Sequence, residues 1–358
     1  MSEPSPFERY VRTIHDLGLP EASASELPPI EYVLAAREAL GVALRDPSFL
    51  VDCITRDVER LATDGAPVTG MIPFFHDRDH GIRFALGAWA SGMSTPPHEH
   101  SGWNISAVMH NELEVRTYDR DAARAGRLVQ KNVYRAPAGK VGFIYEPGVH
   151  APRNPTQTTT ISIHLMGPHD QDVPIDGATP GMSLTAALTD ARLPMAQYRE
   201  TQRYLRAEAA ALAAHPGQRT TNALARMIGL GNSRTRQIVL DVLGAHAPEV
   251  ATKLRSLHRQ LRITTETRLE AASGRCPRRY TRQRGERVEL VTDVGGAELV
   301  LLRVGIEARR ALDQLASDEA LQVGDLEGLS ASDQVRLAEA LDEWRVFIPS
   351  SAVGVVSC

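Results

Sequence analysis

Cysteine is scarce in this sequence, and its scarcity excludes several kinds of protein. The 358 residues contain three cysteines, Cys53, Cys276 and Cys358, which are far apart and odd in number. A disulfide framework needs paired cysteines, and cysteine-based metal sites place two of them a few residues apart. The sequence therefore predicts a protein of a reducing compartment without either feature.

Long apolar segments are also missing. No run of 18 consecutive apolar residues occurs, and the first residues, MSEPSPFERY, are polar and acidic. A membrane-spanning helix needs about 20 apolar residues, and an export signal needs a short apolar core. We therefore expect a cytoplasmic protein that makes no membrane contact.

The pattern of apolar residues changes along the chain, which is too long for one ordinary core. A spacing near 3.6 within residues 1–70 predicts helices that pack on the segment after them. Between residues 71 and 168, short β-rich runs bounded by glycine, proline and asparagine predict a β-barrel. A polar, Pro/Gly-rich linker follows at residues 168–180.

The C-terminal half has a different composition. Residues 181–287 are rich in helix formers, and residues 288–358 predict a hairpin around Gly295 and Gly296 followed by two helices. The expected fold class is α+β, with N-terminal helices, a β-barrel and a mainly α-helical C-terminal domain of winged-helix-like outline.

Charge is distributed unevenly over this half. Residues 215–287 contain 15 Lys and Arg against 5 Asp and Glu, whereas residues 288–358 contain 5 against 13. Such a basic segment can contact nucleic acid. The favoured interpretation is that it packs on an acidic surface of the same chain or of a second copy, because the whole chain has a net charge of −4. We expect no nucleic-acid partner, and the C-terminal half is a candidate homodimer contact.

The most informative motif is His98-Glu99-His100, followed by His150. Two histidines at positions i and i+2 lie on one face of a strand, because strand side chains alternate. A third histidine from a neighbouring strand would complete a set of three nitrogens with open coordination positions, as in catalytic metal sites. The motif therefore predicts a catalytic metal site with His98, His100 and His150 as its ligands.

These residues resemble the cupin pattern, in which Gly92 precedes the first histidine pair and Gly148 precedes the third histidine. The runs GAWASGMSTPPHEHSGWNIS, EPGVHAPRN and TTISIHLMGP resemble the thiol dioxygenase branch, which includes cysteine dioxygenase and 3-mercaptopropionate dioxygenase. The resemblance covers residues 70–168. It implies a double-stranded β-helix with Fe(II) held by the three histidines and O₂ as co-substrate.

The resemblance also implies roles for residues near the metal. Ser162 and His164 match an outer pair that assists catalysis, and Trp103 matches a tryptophan of the mercaptopropionate branch. Met166 and Ile105 stand where that branch has its tyrosine and the cysteine that can crosslink to it. A methionine thioether cannot donate a hydrogen bond, so the substrate pocket is expected to be more apolar than usual.

Substrate recognition is expected to differ in another respect. No Arg or Gln occupies residues 72–74, where the branch places its carboxylate-binding side chain, and Arg83 is the candidate replacement. Tyr145 and Glu146 are candidates for the mouth of the pocket.

The resulting hypothesis is a non-heme iron dioxygenase that oxidises the sulfur of a small thiol or thione other than cysteine to a sulfinate. Two alternatives stay open: a cupin oxygenase with a non-sulfur substrate, and a ligand-sensing transcription regulator. The second rests on the run LARMIGLGNSRTRQIVLDVL, which has the outline of a helix-turn-helix. The predicted domains are residues 1–70, 71–168, 181–287 and 288–358.

Overall fold

The structure is a computed structural model. It describes residues 3–18, 27–66, 71–120, 127–145, 148–168, 170, 172–174, 194–258, 263–271, 279–294, 297–318, 320–344 and 347–349. The chain divides into two compact units. The first comprises residues 1–182 and 204–226, and the second comprises residues 183–203 and 227–358. Glu146 and most of the 168–180 linker lie outside the described residues.

Three helices open the first unit, as predicted. They are α1 (Pro6–Asp16), α2 (Ile30–Ala43) and α3 (Pro47–Asp64). Helix α1 begins with a reciprocal capping box, in which the Ser5 hydroxyl accepts from the Glu8 amide and the Glu8 carboxylate accepts from the Ser5 amide. The apolar face of α1 packs on the barrel through Phe7, whose ring lies 5.0 Å from the ring of Phe84.

Ten strands follow in the described part of residues 71–174. They are β1 (Phe75–His76), β2 (Arg83–Trp89), β3 (His98–His100), β4 (Asn104–His110), β5 (Glu112–Arg120), β6 (Leu128–Pro137), β7 (Val141–Ile144), β8 (Val149–Arg153), β9 (Thr160–Met166) and β10 (Asp172–Pro174). They form two five-stranded antiparallel sheets, with strand orders β1-β2-β9-β4-β7 and β10-β3-β8-β5-β6. This arrangement is a double-stranded β-helix, so the predicted fold class is confirmed.

The register of β2, β9 and β4 separates two faces of the first sheet. Met166 lies opposite both Arg83 and Asn104, and His164 lies opposite Ser106 on the same face. The alternate residues form the other face, where Phe84 meets the aromatic side chains of α1. One face is therefore polar and suited to a site, and the other is the apolar floor on which α1 packs.

The remaining helices in the described residues are α4 (Pro194–Leu212), α5 (Gln218–Leu230), α6 (Ser233–His246), α7 (Pro248–His258), α8 (Arg309–Ser317) and α9 (Ala331–Trp344). The remaining strands are β11 (Arg268–Ala271), β12 (Arg279–Arg284), β13 (Arg287–Val294), β14 (Ala297–Gly305), β15 (Ala320–Gln322) and β16 (Phe347–Pro349). In the described part of the chain, short 3₁₀ turns lie at Ile306–Ala308 and Val323–Asp325. Helices α4 and α5 each contribute residues to both compact units.

The predicted C-terminal hairpin is present, since β13 pairs with β14 from Val294 and Ala297 outward. Strand β12 joins the same sheet by pairing with β13. This sheet therefore crosses the predicted boundary between residues 287 and 288, because the chain turns back on itself at Gly285, which has a φ of +62°.

A carboxyl pair is buried in the first unit, between Asp57 of α3 and Glu208 of α4. The Arg60 guanidinium donates to Asp57 Oδ1 at 2.7 Å, while Asp57 Oδ2 and both Glu208 oxygens have no donor when both groups are ionised. Burial, together with the nearby Asp57 carboxylate, raises the pKa of Glu208 well above its usual value. A proton retained on Glu208 supplies the donor that Asp57 Oδ2 lacks.

We expect Glu208→Gln to stabilise the protein increasingly as the pH rises. In the unfolded chain Glu208 loses its proton near its ordinary pKa, whereas the folded protein keeps that proton to a higher pH. Over this interval the wild type loses about 1.4 kcal/mol of unfolding free energy per pH unit, and the glutamine variant does not. Urea unfolding at pH 6 and pH 8 measures the difference. The exposed Glu38 of α2 provides the control Glu38→Gln, and equal pH slopes in wild type and Glu208→Gln would contradict the assignment.

Candidate metal centre

Three histidines meet on the second sheet of the barrel. His98 and His100 lie on β3, and His150 lies on β8 directly opposite His98. The ring centroids are 4.4 Å apart for His98 and His150, 5.2 Å for His100 and His150, and 5.5 Å for His98 and His100. One ring nitrogen from each residue lies within 4.8 Å of the others. The structure thus brings together all three predicted ligands.

Each imidazole is oriented by a hydrogen bond to its Nδ1. His98 Nδ1 lies 3.0 Å from the Pro96 carbonyl, His150 Nδ1 lies 3.3 Å from the Gly148 carbonyl, and His100 Nδ1 lies 3.1 Å from an Asp170 carboxylate oxygen. An acceptor at Nδ1 fixes the proton there, so Nε2 keeps its lone pair. Each ring is thereby left with one nitrogen lone pair for a metal ion.

The electrostatics of this cluster fit a cation. Burial, reinforced by His98 and His100, lowers the pKa of His150 to about 3. The His150 ring therefore stays unprotonated at neutral pH, which is the state in which imidazole binds metal. Three imidazoles from two adjacent strands suit a divalent transition metal with open coordination positions.

Asp170 was not among the residues expected at the site. Its buried carboxylate accepts from His100 Nδ1, from the Gly102 amide at 3.2 Å and from Asn104 Nδ2 at 3.1 Å. Burial opposes ionisation, but hydrogen bonds led by the one from His100 hold the pKa of Asp170 below its usual value. Asp170 follows the last predicted strand within a polar segment, where the sequence carries no signal of this contact.

A second line of hydrogen bonds crosses the first sheet and includes the predicted outer pair. Trp89 Nε1 donates to the Ser162 hydroxyl at 2.8 Å, and that hydroxyl lies 2.8 Å from His164 Nε2. On the other side of the ring, His164 Nδ1 lies 2.9 Å from the Ser106 hydroxyl, which donates to Asn104 Oδ1 at 2.8 Å. Asn104 then reaches Asp170, so the line ends at the ligand His100.

The hydrogen-bond donors along this line determine which ring nitrogen of His164 carries the proton. Trp89 can only donate, so the Ser162 proton is directed to His164 Nε2. Because Ser106 donates to Asn104, its oxygen accepts from His164 Nδ1. Burial and the nearby His100 lower the pKa of His164 to about 3, in agreement with a neutral ring protonated at Nδ1.

Gly87 makes room for this line, and we expect Gly87→Ala to disrupt it. A Cβ at this position would lie 2.7 Å from the Ser162 hydroxyl and 2.9 Å from Trp89 Nε1. Overpacking of this kind costs about 1–3 kcal/mol. Urea unfolding measures the loss, and nitrogen NMR shifts of His164 report the tautomer. Gly142→Ala is the matched strand control, because its Cβ would approach nothing closer than 4.0 Å; equal stability of the two variants would contradict the expectation.

Two predicted substrate residues lie on the polar face of the first sheet. Met166 is buried beside Asn104 in the register. Arg83 donates from Nη2 to the Asp170 carbonyl at 2.5 Å and to the Gly167 carbonyl at 3.5 Å. Arg83 therefore braces the backbone that carries Asp170, and its predicted role in binding a substrate carboxylate stays a prediction.

The described contacts of three other predicted residues are with the barrel core and with the N-terminal segment, and their roles at the site stay predictions. Ile105 is fully buried on the face of β4 opposite to Asn104, because neighbouring strand residues alternate. Trp103 packs at right angles to Tyr32 of α2, with centroids 6.0 Å apart. The Tyr145 hydroxyl donates to the Pro28 carbonyl at 2.7 Å, ahead of α2.

Known structures match only part of the chain. No protein-family model matches it, and no curated protein matches it significantly. Solved structures that match include an oxalate oxidase, with 23% identity and a TM-score of 0.22 over 30% of this chain and 56% of that chain. A cupin superfamily protein from Desulfitobacterium hafniense DCB-2 matches with 13% identity and a TM-score of 0.22 over 27% of this chain and 75% of that one. A DMSP lyase from Ruegeria pomeroyi DSS-3 matches with 14% identity and a TM-score of 0.22 over 27% and 46%.

The chain thus spans little more than half of the oxalate oxidase and less than half of the lyase. These matches concern the fold alone, which the strand order above defines. The first unit holds a double-stranded β-helix with a three-histidine group that could hold a metal ion. Among the described helices, none is long and apolar enough to cross a membrane.

Proposed function

We propose that this protein is a non-heme Fe(II) dioxygenase that oxidises the sulfur of a small thiol or thione other than cysteine. The observation that carries the proposal is the set of three imidazoles without a carboxylate among them. Each is hydrogen-bonded at Nδ1, and one ring nitrogen of each lies within 4.8 Å of the others. Iron is chosen because of the resemblance to the thiol dioxygenases. Bound there, Fe(II) would supply coordination of the thiolate and activation of O₂.

The proposed reaction balances without any further reductant. A thiol and one O₂ give one sulfinic acid, RSH + O₂ → RSO₂H, so both oxygen atoms end on sulfur. Sulfur loses four electrons and O₂ gains them. Because the three neutral imidazoles bring no negative charge, the site favours an anionic substrate group such as a thiolate.

The protein's own groups would orient and enclose this chemistry. His164 and Ser162 would act as positioning residues, since their hydrogen-bonded line sets the geometry of Asn104, Asp170 and the ligand His100. Met166 would give the substrate an apolar neighbour. Arg83 already donates to backbone carbonyls, which supports a substrate other than a small amino acid held by its carboxylate.

Anaerobic reconstitution with Fe(II), followed by oxygen-uptake assays, tests the proposal. The panel comprises small thiols, thiones, a catechol and a diketone, and mass spectrometry follows the gain of two oxygen atoms. Uptake with a sulfur compound and formation of its sulfinate is the expected result. Turnover of the catechol or diketone, with none of the sulfur compounds oxidised, would instead establish the non-sulfur alternative.

The ion pairs of the C-terminal sheet weigh against the regulator alternative. The buried Glu289 carboxylate pairs with Arg282 at 2.8 Å and also with Arg303, and Arg282 pairs in turn with Glu298 at 2.5 Å. Arg282 and Arg303 thus already have carboxylate partners within the chain. A gel shift that weakens with salt would reverse this preference.

The other proposals concern location and assembly. We propose a cytoplasmic location, which the buried free thiol of Cys53 supports. Homodimerisation through the C-terminal half is also proposed, and light scattering of the purified protein measures it.

A further inference from the structure

A second group of metal-ligand side chains lies outside the three-histidine site. His15 is in the last turn of α1, and Asp77 and His80 are in the turn between β1 and β2. Asp77 Oδ2 lies 2.7 Å from His15 Nε2 and 2.9 Å from His80 Nδ1. The two imidazole rings are 4.8 Å apart between centroids, and all three side chains are partly exposed.

The carboxylate of this group is held in one orientation. Asp77 Oδ1 accepts from the backbone amides of Asp79 at 3.0 Å and His80 at 3.3 Å, which leaves Oδ2 for the two imidazoles. The Asp77 amide donates to the Ile82 carbonyl at 3.0 Å and so closes the turn, and Gly81 has a φ of +69° that favours glycine. The turn therefore presents Asp77 and His80 on a fixed backbone.

The third side chain is also positioned by packing far from the cluster. Helix α1 is anchored by Phe7 and Tyr10, whose rings lie 5.0 and 5.8 Å from the ring of Phe84 in β2. Since β1 and β2 form the hairpin that carries the turn, this packing fixes the end of α1 against the turn. The packing of α1 on the core of the first unit therefore positions His15 next to Asp77.

We propose that His15, Asp77 and His80 form a second metal site, which takes a zinc-class divalent cation and joins α1 to the β1–β2 turn. Two imidazole nitrogens and one carboxylate oxygen are ligands that Zn²⁺ accepts and that Mg²⁺ and Ca²⁺ do not prefer. Tetrahedral coordination at the usual zinc distances places donor atoms about 3.3 Å apart. Asp77 Oδ2 lies 2.7 and 2.9 Å from the two histidine nitrogens, and all three ligand atoms lie within 4.8 Å of one another, so side-chain adjustment alone can open the hydrogen-bonded arrangement for a cation. Solvent completes the coordination, because the side chains are partly exposed.

This proposed site differs from the three-histidine site in its ligands and in its role, which is structural. It shares no residue with that site, and its ligands come from a helix and a turn rather than from paired barrel strands. A cation here links two segments that are otherwise joined by side-chain packing and by the hydrogen bond between His15 and Asp77. It therefore adds to the stability of the N-terminal helix on the barrel.

Zinc titration of the full-length, metal-stripped protein tests this site, with calorimetry and metal analysis after desalting as readouts. We expect two equivalents in wild type, one in His15→Ala, one in His98→Ala and none in the double variant. Asp77→Asn keeps an oxygen acceptor for the turn amides and is also expected to lose one equivalent. Zinc should raise the melting temperature of His98→Ala and leave that of the double variant unchanged.

The exposed His76 of β1 supplies the matched control, since His76→Ala should keep both equivalents. If the three-histidine site fails to bind zinc, one equivalent should remain in wild type and disappear in His15→Ala, so the two sites are tested separately. Retention of the wild-type stoichiometry in both His15→Ala and Asp77→Asn would overturn the proposal and leave a hydrogen-bonded His–Asp–His cluster without metal.

Discussion

Replacing His98, His100 or His150 singly by alanine is expected to abolish metal binding at the barrel site and all activity that depends on it. Two imidazoles hold a divalent ion less tightly than a facial set of three does, because one metal–ligand bond is lost. Loss of the hydrogen-bond partner of a ligand already costs about 10–100-fold in metal affinity, so loss of the ligand itself should cost more than about 100-fold. Anaerobic Fe(II) titration, followed by metal analysis after desalting, measures the effect.

The three variants should fold, because none of the replaced side chains belongs to the apolar core. His98 and His150 are half-buried, and His100 is buried but polar. Circular dichroism verifies this, and His76→Ala serves again as the histidine control. A His150→Ala protein with full metal content and full activity would refute the ligand set.

Asp170→Asn is expected to weaken metal binding at the barrel site by about 10–100-fold while leaving the three ligands in place. The carboxylate accepts from His100 Nδ1, from Gly102 and from Asn104. An amide keeps the shape but has one acceptor oxygen and adds a donor, which would face the Nδ1 proton of His100 or the Asn104 amide. His100 then loses the charge-assisted bond that orients its ring and strengthens it as a ligand. Metal affinity by competition with a chelator is the measurement.

Glu99→Gln is the matched control for Asp170→Asn. Glu99 lies between the two ligands of β3, but its carboxylate pairs with Arg120 at 2.7 Å, and no hydrogen bond to a ligand ring is present among the described contacts. Both substitutions remove one negative charge near the site. Equal loss of affinity in the two variants would assign the effect to long-range charge and contradict the role given to Asp170.

The sequence predicted the barrel and its histidines because both depend on short-range patterns. Strand residues alternate, glycine and proline mark the strand ends, and His98 and His100 must therefore share a face. The contact with Asp170 was not predictable in this way, because it joins residues 70 positions apart through a segment without periodicity. The face of the sheet on which Ile105 lies could not be predicted from its apolar character alone. Only the pairing of β4 with β9 shows that Asn104 lies on the polar face and Ile105 on the opposite one.

The C-terminal half illustrates the same limit. Its hairpin was predictable from two β-rich runs around a glycine pair, and β13 and β14 do pair. Strands β11, β15 and β16 are short and pair with partners distant in the sequence, so local patterns gave no signal for them. The role of this half as a partner-binding or dimerising unit stays a prediction.

The hydrogen-bonded line from Trp89 to His100 has an evolutionary consequence. Every link has a defined polarity, running from the indole through Ser162, His164, Ser106 and Asn104 towards the carboxylate. A change of one member into a residue with the opposite donor character leaves two neighbours facing each other with like groups. We therefore expect these positions to be inherited as a set, so that homologous chains keep all of them or exchange several at once.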